Sequence, residues 1–217
     1  MCVPRDVLRI CAAPAHRAGV SARRLGRDSP LPQLQRGDRG AVRAIGDAMR
    51  WLEQIIEAIV AWIRRCIPAY EPAIWNDNDG IQLHNNCYNY ACNIQTGTFA
   101  QPGLATGHLR PEPFTCQGVG PAAQWDGLRL VDSDGGCGCR DCCHKVALVI
   151  APGPEFNDFH WYRLDRDDRW SHKPGSTPAT NVDSSGNPIT DPRTANRGPY
   201  TVFCGFYCVC KDKVSIA

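Results

Sequence analysis

The spacing of apolar side chains divides the chain into three stretches. Between residues 47 and 67, DAMRWLEQIIEAIVAWIRRCI sets Leu52, Ile55, Ile56, Ile59, Ile63 and Ile67 at steps of three and four, with Glu53, Glu57 and Arg64 elsewhere. That spacing predicts an amphipathic helix. Its acidic residues come early and Arg64 and Arg65 late, as the helix dipole favours, and Pro68 stops it. The expected role is packing on the domain. A membrane-surface anchor with Trp51 and Trp62 at the interface is the alternative, weakened by a polar face poor in Lys and Arg. Before the helix, residues 1–46 lack sustained apolar periodicity and are rich in Arg, Ala, Pro and Gly. They are expected to be a disordered leader, and a start set too early, with Met49 as the natural one, explains them most simply.

From Tyr70 onward the pattern changes to short elements separated by turn-forming clusters at 75–80, 98–103, 131–136, 151–156 and 183–188. KVALVIA (145–151) is an apolar, β-branched-rich run that predicts a buried strand. DFHWYRLD (158–165) alternates Phe159, Trp161 and Arg163 against His160, Tyr162 and Leu164, with a hairpin turn at 166–168. YTVFCGFYCVC (200–210) is a further strand, and a helix starts near Cys87 behind the capping candidates Asn85 and Asn86. The expected fold is α+β: an N-terminal helix, then an antiparallel sheet, in one domain over residues 70–217.

Charge and composition narrow the function. The 217 residues carry a net charge of +2. Residues 1–50 hold 10 Arg and 4 Asp, leaving 14 basic against 18 acidic side chains in the rest. The body lacks the positive field that nucleic-acid binding needs, so no nucleic acid is expected. No secretory pattern is legible, because VLRICAA is interrupted by Arg9. A cytoplasmic location is the expectation that follows.

Two constellations can carry chemistry. A cysteine in the first turn of a helix gains thiolate character from the N–H groups there, and a distant histidine can take its proton. Cys87 and His160 fit those roles, as nucleophile and base. An orienting group should come from a strand after His160, where His172, Asn181 and Asp183 are available and Asn181 is favoured; Gln82 could add an amide to an oxyanion hole. The second constellation is cysteine-rich. Cys139 and Cys142 form a CxxC and Cys204 and Cys208 a CxxxC, together a tetrahedral set for structural zinc. Thirteen cysteines is an odd number, and with no export signal zinc or free thiols rank above disulfides. WSHKPGSTPATN (170–181) suits a loop for an anionic or glycan ligand, although a structured turn with Trp170 packed down is the simpler reading. NDNDG (76–80) and DSDGG (132–136) look like calcium-loop fragments, but each lacks the rest of the loop and receives no metal.

The order NNCYNYA, TFAQPG, VALVIAPG, DFHWYRLD, WSHKPGSTPATNVDSSGNPITDPR and RGPYTVFCGFYCV resembles an uncharacterised bacterial family with relatives in invertebrate shell-matrix material, over roughly residues 70–210. The Cys-on-helix, His-on-strand order is also similar to papain-like amidases of the NlpC/P60 and CHAP types. That resemblance implies a thiol hydrolase acting on an amide bond of a peptide or peptidoglycan fragment, with no cofactor for catalysis. The alternatives are a non-catalytic glycan- or protein-binding matrix module and a zinc-stabilised adaptor.

Overall fold

The structure is a computed structural model and describes residues 38–132, 136–137 and 142–217. It divides into two units, of which the larger is Ile63–Ala217. The smaller is described through helix α1, which runs Asp38–Cys66 into the start of the larger unit. The helix starts nine residues before the expected position, so residues 38–46 are helical, while the rest of the expected leader lies outside the described residues. Nothing between Gly40 and Ile67 breaks the helix: Ala41, Arg43 and Ala44 favour it, and Gly46 alone costs about 1 kcal/mol. Its apolar residues Ile45, Met49, Leu52 and Ile56 are exposed. No helix among the described residues is long and apolar enough to cross a membrane.

The larger unit opens with three short helices: α2 (Ala73–Asn76), α3 (Asp79–His84) and α4 (Cys87–Cys92). The helix α5 (Cys116–Trp125) precedes the strands β1 (Arg129–Val131), β2 (Cys143–Pro152), β3 (Asn157–Leu164), β4 (Trp170–His172) and β5 (Val202–Cys210). They form one sheet in the order β1-β5-β2-β3-β4, antiparallel at every pairing. The fold is therefore α+β with an antiparallel sheet.

The unbroken apolar run of β2 follows from a sheet covered on both faces. Val146, Leu148 and Ile150 pack with Phe159, Trp161, Tyr207 and Val209 on one face, where Tyr88 and Ala91 of α4 and Val119 of α5 join them. Ala147 and Val149 pack with Tyr162, Trp170, Ile189 and Phe206 on the other. The pairing of β2 with β5 shifts between Leu148 and Val149: Leu148 faces Gly205 and Val149 faces Phe203, so Cys204 is the extra residue of a bulge. Gly205, at φ +148°, takes a backbone conformation that side-chain-bearing residues rarely adopt.

Among the described residues four disulfides staple this frame: Cys66–Cys142, Cys116–Cys204, Cys137–Cys208 and Cys143–Cys210. Three of them end on β5, one at its bulge. The expectation of zinc is thereby corrected. Cys142, Cys204 and Cys208 are all oxidised, and a disulfide sulfur has no thiolate to give a metal; Cys139 lies outside the described residues. Among the described residues no group of three His, Cys, Asp or Glu could hold a metal ion. The spacing that suited two metal-binding pairs instead sends Cys142, Cys204 and Cys208 to partners 71 to 88 residues away.

Candidate functional site

Helix α4 starts where its cap dictates. The Asn86 side chain accepts from Tyr88 N (3.0 Å) and Asn89 N (3.2 Å), and Asn89 Oδ1 accepts from Asn86 N (3.0 Å). This reciprocal cap sets Cys87 as the first helical residue and buries all six residues of the helix. On β3, alternation separates His160 from its core-facing neighbours Phe159 and Trp161. The register of β3 with β4 sets Tyr162 opposite His172, which makes His160 and His172 diagonal neighbours.

Cys87 and His160 line the same cavity, of about 250 Å³, together with Arg110, Phe114, Asp158 and Tyr200. His172 holds the imidazole of His160. Val182 O can only accept, so His172 Nε2–H donates to it (3.0 Å), and His172 Nδ1 then accepts from His160 Nε2–H (2.8 Å). His160 Nδ1 is left as an acceptor. Burial lowers both histidines from their ordinary value, His160 strongly and with a further push from His172, so the pair is neutral at pH 7.

The thiol is driven the opposite way. Burial first, and the Asp158 carboxylate second, push Cys87 up to about 12, against the backbone N–H groups of Trp161, Cys87 and Tyr88. Its sulfur lies 3.9 Å from Phe159 O, an acceptor that suits S–H and not a thiolate. The Tyr88 amide is shared with the Asn86 side chain, and the Asn89 amide also donates to it. The arrangement therefore keeps a protonated thiol beside a neutral imidazole.

The other expected site residues lie elsewhere. Gln82 Nε2 donates to Ser176 O at 3.4 Å, and Asn181 O accepts from Ile189 N in a backbone pairing; neither lines the cavity. His172 occupies the orienter's place instead of Asn181. In the WSHKPG segment Trp170 is buried, the fully buried Lys173 donates through Nζ to the carbonyls of Gln82, Asn85 and Gly175, and Gly175 lines the cavity. A larger cavity, of about 430 Å³, contains Cys92, His144, Glu71 and Lys211 in its wall. His144 there is bonded to Ala91 O at 2.7 Å, and burial lowers it to about 4.

Over 144 residues, 66% of this chain and 90% of the relative, the sequence is 50% identical to insoluble matrix shell protein 1 of Ruditapes philippinarum. The chain belongs to that protein's family. No family model matches it, and no solved structure does.

The family corrects two expectations. The relative is named as a shell matrix protein and not as a cysteine hydrolase, and the protonated thiol of Cys87 agrees with it. The cytoplasmic expectation also falls, because a matrix-protein relative and four disulfides point to an oxidising, extracellular setting. The shell-matrix side of the sequence resemblance is the side that the relative supports.

Proposed function

We propose that this protein is a non-catalytic, extracellular module of an organic matrix, and that it holds another matrix component on its surface. The observation that carries the reading is the 50% identity over 90% of insoluble matrix shell protein 1. Two features of the chain support it. The four disulfides suit an oxidising, extracellular setting, and the thiol and imidazole of the cavity sit in their uncharged forms. The order of Cys87 on a short helix, His160 on β3 and His172 on β4 is, in this proposal, a papain-like scaffold that supplies the walls of a binding pocket.

The test is co-sedimentation of the disulfide-bonded chain with insoluble polysaccharides (chitin, cellulose and calcium alginate gel) in physiological salt. Retention on at least one is expected. Complete recovery in the supernatant from all three overturns the reading.

A further inference from the structure

We propose that the cavity beside Cys87 binds the carboxylate of an acidic glycan unit and that Arg110 is its anchor. This deepens the matrix-module reading, on which it rests, by naming the ligand class.

The Arg110 guanidinium stacks on Phe114, 4.4 Å from the ring centroid, and lies 5.4 Å from that of Phe159. Its Nε is buried and has no hydrogen-bond partner. An unmet buried donor costs about 1–3 kcal/mol, so each such group in a native fold calls for an explanation. The chain shows how it treats an arginine that is purely structural: the Arg163 side chain donates to Asp165, Asn93, Ala69 O, Tyr90 O and Tyr90 Oη. Arg110 has the same five donors and faces a cavity.

The carboxylate of the cavity wall is already committed. Asp158, in the same cavity wall, accepts from Phe159 N through Oδ1 and from Tyr200 Oη through Oδ2, both at 2.8 Å. Burial lowers the pKa of Arg110, while Glu112 and Asp158 oppose that shift, and arginine stays charged at any physiological pH. A carboxylate arriving from outside can take two parallel N–H bonds from a guanidinium fork. Arg110 is built to give them, since its aromatic stack fixes the plane of the fork.

The walls select what carries the carboxylate. Phe99, Phe114 and Tyr200 supply aromatic surface, and Phe99 is 45% exposed at the rim. His160 Nδ1 adds an acceptor for a hydroxyl. A cavity of about 250 Å³ is below the usual range for drug-sized ligands and suits one ring-sized unit. A uronate ring, with flat apolar faces, several hydroxyls and one carboxylate, uses all of these groups. An acidic peptide side chain reaches the guanidinium but leaves the aromatic walls uncovered.

Isothermal titration calorimetry of the full disulfide-bonded chain tests this, with a glucuronate-containing tetrasaccharide as probe. The same tetrasaccharide with its carboxyls reduced to alcohols and a Glu-rich peptide are the comparison ligands. The acidic sugar is expected to bind, with at least tenfold weaker binding on carboxyl reduction, for the peptide, and in Arg110→Gln. Lys211→Gln, in the other cavity, should leave the affinity unchanged. Should Arg110→Gln fail to fold, Phe99→Ala at the exposed rim serves instead, with a several-fold loss at an unaltered melting temperature. Equal binding of the reduced sugar, tighter binding of the peptide, or loss in Lys211→Gln overturns the assignment. Retention on insoluble polysaccharide together with indifference to carboxyl reduction rejects Arg110 alone, whereas failure to sediment with any polysaccharide rejects the matrix reading itself.

Discussion

Removing single disulfides should reveal how the four bridges act together. Taken one at a time, Cys116–Cys204 and Cys143–Cys210 close loops with sequence separations of 88 and 67. Chain entropy then assigns nearly equal losses, each about 4.5 kcal/mol. The remaining bridges change that. With Cys137–Cys208 intact, the unfolded chain still connects Cys116 to Cys204 through Cys137 and Cys208, a path of about 25 residues. The same route joins Cys143 to Cys210 in about 8 residues. The entropy restored to the unfolded chain is then about 3.5 kcal/mol for Cys116→Ala/Cys204→Ala and about 2.5 kcal/mol for Cys143→Ala/Cys210→Ala. Urea titration of both double variants under non-reducing conditions measures the difference, provided the slopes stay equal. Equal losses, or a larger loss for Cys143→Ala/Cys210→Ala, would refute the reasoning.

Two other buried groups make sharp predictions. For His144, burial holds the folded value at about 4, against an ordinary value near 6.5. Between those pH values the unfolded chain binds more protons than the native one, so stability rises with pH across the window and is lost on acidification, by about 3 kcal/mol. His144→Gln keeps a donor for Ala91 O and should remove that part of the slope between pH 7 and 4 in urea midpoints; an unchanged slope contradicts the assignment. Lys173→Met leaves three carbonyls without their shared donor and should cost about 3 kcal/mol or more, seen as a lower melting temperature; a variant as stable as the parent would show that water replaces the ammonium.

Local pattern made the frame legible. The runs that became β2, β3 and β5, and the asparagine cap ahead of Cys87, are periodic or chemically marked, and each lies within a residue or two of its expected position. The early start of α1 was hidden because only Val42 and Ile45 carry the apolar stripe of Met49 and Leu52 backwards, beside Gly40 and Gly46. Cysteine spacing could not tell zinc from disulfides, since the pairing depends on a β-bulge that turns Cys204 towards Cys116. The partner of His160 was equally hidden. Asn181, Asp183 and His172 all follow it in the chain, and the β3–β4 register alone brings His172 alongside. Arg110 carried no motif, and what marks it is an unfilled hydrogen bond, a property of the folded state.

The state of one sulfur decides between a binding module and an enzyme. With its pKa at about 12, Cys87 should be about one part in 10⁵ thiolate at pH 7. Iodoacetamide should therefore leave it unmodified in the native chain over hours, and label it together with Cys92 once guanidinium unfolds the protein. Labelling of native Cys87 within minutes, slowed by His160→Ala, would contradict the account.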